Sequence, residues 1–534
     1  MSNRHLIGRQ ILELRLSGAQ EVPALQENLS KHYWQRISPA IERLFDRLAP
    51  PDELLSLDRL EINLGRLTGQ ELLSDLFIEK LLDQLEAAIV EALNRSPANA
   101  GRQPLRLGRF DLWLYFLERG ALPPASGAPE SAAVWRLQIF DTLALDANAV
   151  ERLRRLLHTH PQALERLLLQ YDTGFLQQIA GLFTSYKQEQ LASAIREFAA
   201  LVADLLDALH TAVRRNKRIT TGAQVAWAAA ATKALLRQIP ALQMQTAWQA
   251  DFRSWLMQYG ASLVVLPRTQ LQRQLEIDCW RIALTEAIIR RRKSDAAGLM
   301  TGILQHPAIR HWQPILQQLS QGALPKLAIA AQWIEALKAI PAAQSELSAA
   351  SAPKRSEPLR SPQADEDLQA NYIQNAGVVL LHPYLSRLFK HLELTTDAVF
   401  RDESSRQQAV FLLHYLATGE AQAPEYQLVL PKFLCGMPLD LPLDHALALS
   451  PEAMAEADTL LQAVIDNWGV LGKTSPDGLR QGFLQRAGIL EQQSAGWQLR
   501  IERHTLDILL DRLPWNLRIV KLPWMPELLR VAWP

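Results

Sequence analysis

Only two cysteines occur in the 534 residues, Cys279 and Cys435. They lie far apart, in apolar or helical surroundings, which excludes a disulfide scaffold and suits a reducing compartment with each thiol in a core. Charge of one sign is also missing, because Lys+Arg and Asp+Glu both number 56. Without a net positive field the chain is not drawn to phosphate backbones or anionic lipid, so nucleic acid and membrane surfaces are not expected partners. No window of about 18 uncharged apolar residues is present, and the opening MSNRHLIGRQILELRL has neither an apolar h-region nor a small-residue cleavage site. The expectation is synthesis in the cytoplasm, no anchor, and any export by assembly or lysis.

Catalytic signatures are missing as well. There is no GxSxG elbow, and the twelve histidines show no HExxH or paired-cysteine spacing. The nearest approach to a phosphate loop is Gly469-Val-Leu-Gly472-Lys473-Thr474, but Asn467 stands where the first glycine is required and an amphipathic helix precedes it instead of a strand. A helix C-cap and turn is the better reading. His382 and His414 sit in apolar helical runs and read as core or boundary residues. The basic runs 214–218 and 290–293 come late in amphipathic helices, where cations complement the negative dipole end. No enzyme, cofactor or metal site is therefore expected.

What the chain does have is apolar material, 48% of residues, with 21% charged. That is enough to build cores, and the length predicts two to four domains. Leu12, Leu14 and Leu16 alternate with polar residues, as do Leu60, Ile62 and Leu64, and each set predicts a half-buried strand. A helix is predicted over 24–48, ending at Pro50-Pro51, and a second after Thr68-Gly-Gln-Glu71, a capping box. The result is a strand-helix-strand-helix α+β domain at 1–95. Residues 106–340 then read as helical hairpins, because prolines at 123, 124, 161, 240, 267, 307 and 314 interrupt any long coiled coil.

Residues 341–370 are rich in Pro, Ser, Ala and charge and nearly free of aromatics, the composition of a disordered linker. The module at 371–534 is predicted mostly helical, with helices at 375–393 and 405–419 and others opened by Ser450-Pro451 and Ser475-Pro476. It ends in short strands at 497–501, 517–522 and 528–533, with prolines at 514, 523 and 526 confining the last two to short or edge positions. The fold class is mainly α.

Two blocks carry a resemblance. His5, Ile7, Leu12 and Leu14, followed by Leu57-Asp58-Arg59-Leu60-Glu61-Ile62-Asn63-Leu64-Gly65, are similar to the opening of the contractile injection system tape-measure family, in which an LDRLEIDLG segment recurs. Past the linker, Asn375-Ala376-Gly377 through His382-Pro383-Tyr384-Leu385, Leu413 to Gly419, Pro424-Glu425-Tyr426, Leu430 to Cys435-Gly436, Gly478-Leu-Arg480, Phe483 to Arg486, Asp507 to Pro514-Trp515 and Pro523-Trp524-Met525 resemble its C-terminal module. The resemblance implies a non-enzymatic component of an antifeeding-prophage-like machine that sets inner-tube length during assembly and is incorporated in a particle which can become extracellular. Implied partners are inner-tube, hub or spike, and cap subunits. The motif positions Asp58, Leu60, Glu61, Gly65, Gly377, His382, Pro383, Gly419, Cys435, Gly436, Arg486, Pro514 and Pro523 are expected to be structural. A compact assembly or cargo-loading adaptor of the same machine is the alternative. Trp515, Trp524, Met525 and Trp533, crowded on short strands, either close the module's own core or dock a partner.

Overall fold

The computed structural model describes residues 5, 7, 10–13, 28–49, 53–57, 60–68, 71–95, 100–124, 131–184, 188, 190–214, 224–260, 266–290, 295–322, 330–340, 370–396, 398–445, 447, 449–494 and 496–533. The chain is mainly helical, with its longer strands near the C-terminus. It divides into two units: 1–145 with 368–439 and 449–534, and 146–367 with 440–448.

The first unit opens on helix α1, Ser38–Leu48, which continues from a π-helical turn at Tyr33–Ile37. Pro39 follows that turn; it lacks an N–H to donate, and helices commonly adjust their winding next to such a residue. α1 packs on α2, Asp75–Arg95, over Ile41, Leu44, Phe77, Leu85 and Ile89. The capping box holds: the Thr68 amide donates to Glu71 Oε2 at 2.6 Å and the Glu71 amide donates back to Thr68 Oγ1 at 3.3 Å. It opens a short 3₁₀ turn, Glu71–Leu73, ahead of α2.

The predicted strand at 60–64 is only half realised. Leu60, Ile62 and Leu64 turn inward onto the α1–α2 core while Glu61 and Asn63 face water, yet none of these residues lies in a strand. The ladder instead joins β1, Glu53–Leu57, to β2, Ala100–Pro104, antiparallel with Leu57 opposite Ala100. Alternation records which side chains are buried, whereas a strand also needs a neighbouring backbone, and that was supplied to residues 53–57. Of the first predicted strand, residues 11–13 are described and not in a strand, with Ile11 and Leu12 exposed; Leu14 and Leu16 lie outside the described residues.

Helices α3, Leu105–Arg119, and α4, Ala132–Leu145, belong to this same unit and bury Phe110, Trp113, Phe116 and Trp135. Phe116 and Trp135 both meet Tyr426 of the C-terminal module, at 5.6 and 5.7 Å between ring centroids. Burial pushes the Tyr426 hydroxyl up to about 12. That module is built on a five-stranded sheet formed by β3, Ala370–Ile373, β6, Gly488–Gln493, β7, Gly496–Ile501, β8, Ile519–Val520, and β9, Leu529–Ala532; the hairpin β4–β5, Thr395–Thr396 and Val399–Phe400, is separate. The order is β3-β6-β7-β9-β8, with β9 parallel to β7 and the other pairings antiparallel. The strand expected to be short or at an edge, β9, is short but lies inside the sheet, with Leu529 and Val531 buried; the edge position falls to β8.

The second unit is an assembly of packed helices, most of them short, with two longer ones, Leu191–Arg214 of 24 residues and Arg268–Arg290 of 23. Its central member, Arg268–Arg290, packs on Leu191–Arg214, on Ala296–Gln305 and on helices Ala147–Thr159, Pro161–Gln170 and Thr173–Thr184. Leu271, Leu275, Cys279, Trp280 and Leu284 are buried along it. Prolines punctuate as expected: Pro161 opens its helix at N1, Pro240 opens a 3₁₀ turn, and Pro314 sits in the first turn of Gln313–Ser320. Four rings, Trp248, Phe252, Trp255 and Trp312, stack or meet edge to face at 5.0 to 6.0 Å. Arg214 and Arg290 close helices, and the rest of the two basic runs lies outside the described residues, as does the linker predicted over 341–370 except for Ala370, which opens β3.

Candidate functional site

The densest local chemistry is in the C-terminal module. Helix Glu403–Thr418 is opened by Asp402, whose side chain accepts from the Ser405 amide at 2.7 Å, and closed by Gly419 at φ 79°. Helix Pro451–Asn467 is capped by Ser450 accepting from the Ala453 amide, and Ser475 accepts from the Gly478 amide, so both sequence-predicted caps are present. Gly469–Leu471 forms a 3₁₀ turn ending at Gly472 with φ 59°, a chain reversal after a helix.

Two glycines are dictated by close approach. A Cβ on Gly377 would stand 1.7 Å from the Phe483 carbonyl oxygen. One on Gly436, already at φ 64°, would stand 2.6 Å from the Trp524 carbonyl oxygen. The backbone at 436 is thus pressed against the segment that carries Trp524, and the indole Nε1 of Trp524 donates to the Leu434 carbonyl at 2.8 Å while its ring meets Phe389 and Phe400.

The other crowded aromatics also turn inward. Trp515 Nε1 donates to the Leu380 carbonyl at 3.1 Å, and its ring lies edge to face with Tyr384 and Trp468. Met525 is buried. Trp533 Nε1 donates to Asp507 Oδ2 at 3.2 Å. Asp507 is a junction: Oδ2 also accepts from the His504 amide, and Oδ1 accepts from the buried Arg486 at 2.8 Å. Burial lowers the Arg486 pKa, with Asp507 opposing.

Ion pairs occupy the same core. The side chains of Lys432 and Glu425 are fully buried, Lys432 Nζ donating to Glu425 Oε1 at 2.5 Å and to the Leu439 carbonyl at 3.1 Å. Arg480 reaches Asp458 and Asp477 at 2.6 and 2.8 Å and lies over the Tyr415 ring. His382 Nδ1 donates to the Val379 carbonyl, and burial lowers its pKa. Burial holds His414 down at about 4, its Nδ1 without a hydrogen-bond partner. Burial raises the Cys435 thiol.

The remaining motif positions divide. Pro383 sits in the first turn of helix His382–His391, and Pro514 and Pro523 are exposed at turns before β8 and β9. At the N-terminal end Gly65 has φ 76° and its amide donates to Asn63 Oδ1, Leu60 packs inward, Glu61 faces water, and Asp58 lies outside the described residues. Asp507, Lys432 and Glu425 were legible only as letters in longer strings. A lysine inside Leu430-Pro431-Lys432-Phe433-Leu434 is the signal that points to a buried pair, since a lysine is almost never fully buried unless paired.

The family model for contractile injection system tape measure proteins matches residues 4–533. The chain belongs to that family. It is therefore a structural component of a contractile injection system, a tape measure protein that sets inner-tube length during assembly. Searches of curated proteins and of solved structures give no match. The tape measure family places the chain in a phage-tail-like particle, and among the described residues no helix is long and apolar enough to cross a membrane.

Proposed function

We propose that this tape measure protein divides its work between its two units: the unit built from both chain ends holds the particle's subunits, and the helical unit supplies the span that is measured. The supporting observation is that 1–145 folds with 368–439 and 449–534, so that residues 146–367 are an insertion between two parts of one body. An insertion of mostly short, proline-limited helices can change length without disturbing the core that carries the motif glycines and indoles. Fully unrolled into helix, the roughly 220 residues of this insertion would span about 330 Å, whereas the longest helix of this unit, with 24 residues, spans about 36 Å.

The subunits held are inner-tube, hub or spike, or cap components. Trp515, Trp524 and Trp533 present a partner with their outer ring edges only, since each indole N–H is engaged within the module. Electron microscopy of particles from a strain carrying an in-frame deletion of 146–340 tests the division of work. Shortened tubes that still incorporate the protein are expected. Normal-length, empty particles would replace this reading with that of a compact cargo-loading adaptor.

A further inference from the structure

Nine residues of the C-terminal part of the chain, Asp440–Ala448, belong to the helical unit, although residues on both sides of them belong to the other. Seven of the nine are described, and they lie in turns, a bend and irregular chain, without helix or strand. Their attachment has the composition of peptide recognition. Main-chain groups make much of it: the Asp440 carbonyl accepts from Arg166 at 2.6 Å, the Leu443 carbonyl accepts from Gln170 Nε2 at 2.8 Å, and the His445 amide donates to the Leu169 carbonyl at 3.3 Å. One apolar anchor, Leu443, is completely buried. Two carboxylates frame it, Asp440 accepting from Gln162 at 3.2 Å and Asp444 pairing with Arg273 at 3.3 Å.

Peptides are held by this combination of backbone hydrogen bonds, an anchor side chain and polar contacts at the rim. Pro442 limits the conformations of Leu441 before it and lowers the ordering cost of the bound form. On the receiving side the Arg166 side chain is fully buried, and a buried guanidinium that loses an acceptor keeps its desolvation cost. The groove is therefore built to be filled.

We propose that helix Pro161–Gln170, with Arg273 of helix Arg268–Arg290, forms a binding groove for an irregular, non-helical Asp-Leu-Pro-Leu-Asp peptide, occupied in cis by residues 440–448 acting as a detachable latch. Release of the latch would expose Leu443 and take one acceptor from Arg166.

A fluorescein-labelled peptide of residues 438–449 and the full chain with 440–448 replaced by a Gly/Ser segment of equal length provide the test. Fluorescence anisotropy should show saturable binding to the replaced chain and at least about tenfold weaker binding to the native chain, because a tethered ligand competes at an effective concentration of about millimolar. Leu443→Ala in the peptide, or Arg166→Gln in the replaced chain, should weaken binding about tenfold or more. No binding to a replaced chain that is folded by circular dichroism, equal binding to both chains, or indifference to Leu443→Ala would each overturn the proposal. If the replaced chain does not fold, hydrogen exchange of the full chain carrying Leu443→Ser decides. Faster exchange in 440–448 alone supports a latch, while matching acceleration in the helices Pro161–Gln170 and Arg268–Arg290, or no acceleration in 440–448, rejects it.

Discussion

The C-terminal module and the helical unit solve the burial problem differently. In the module, backbone meets backbone: Gly377 lies against the Phe483 carbonyl and Gly436 against that of Trp524. Its charges are sunk into the core as pairs, Lys432 with Glu425 and Arg486 with Asp507. The helical unit relies on side-chain packing around helix Arg268–Arg290, and its main ion cluster is only partly covered, Arg281 reaching Glu165 at 2.5 and 3.0 Å and also Asp278. Burial works against the Arg281 charge, yet the two carboxylates outweigh it and raise its pKa; burial raises the Asp278 carboxyl despite Arg281. Helix packing tolerates changes of shape that a backbone contact cannot, so equal substitutions should have opposite outcomes in the two regions.

The sharpest contrast is a glycine replaced by alanine in each. Gly377→Ala puts a methyl group inside van der Waals contact with a carbonyl oxygen and should cost more than about 4 kcal/mol, enough to unfold the module. Gly302→Ala, mid-helix with its nearest neighbour the Glu286 Cγ at 3.5 Å, should be neutral or stabilising by about 0.5–1 kcal/mol. Peptide-resolved hydrogen exchange reads the two regions separately. Comparable protection loss in both would break the comparison.

Next in size is the buried pair. Lys432→Met leaves Glu425 as an uncompensated buried carboxylate and should cost about 3–5 kcal/mol, whereas Lys432→Met with Glu425→Gln should recover most of the loss. Chemical denaturation of the three proteins measures this. A double variant as unstable as the single one would show that volume, and not charge, governs the site.

The smallest effect is pH dependence. His414 is neutral in the fold because burial lowers its pKa to about 4, while the unfolded chain takes up its proton near the ordinary histidine value of 6.5. The unfolded state therefore binds more protons between those values, and stability falls as pH drops from about 6.5 to about 4, by up to about 3 kcal/mol. His414→Phe should flatten that part of the profile in thermal melts across pH 4 to 7. An unchanged slope would assign the acid sensitivity to other groups.

Much of the helical unit and of the module's punctuation was legible beforehand, since caps and proline breaks act within one turn of chain. Thr68 with Glu71, Ser450 with Pro451, and Ser475 with Pro476 sit where their local hydrogen bonds require. The strands were read less well. Local pattern marks β7 through β9 approximately, while β3, β6 and the β1–β2 ladder leave no such mark because their partners are remote: Ala370 opposite Glu491, Leu57 opposite Ala100. Spacing crowds the tryptophans together but does not contain the direction of each indole.

Sequence alone therefore determined the mainly helical class, the family-bearing motifs, several helix caps and the inward face of Leu60, Ile62 and Leu64, all consequences of interactions a few residues long. Only the tertiary structure decided that the two chain ends share one unit, that β9 lies inside its sheet, that Lys432 finds Glu425 in the core, and that 440–448 belongs with the helices. Those outcomes depend on which distant backbone groups and charges meet when water is excluded, and a linear pattern does not contain that pairing.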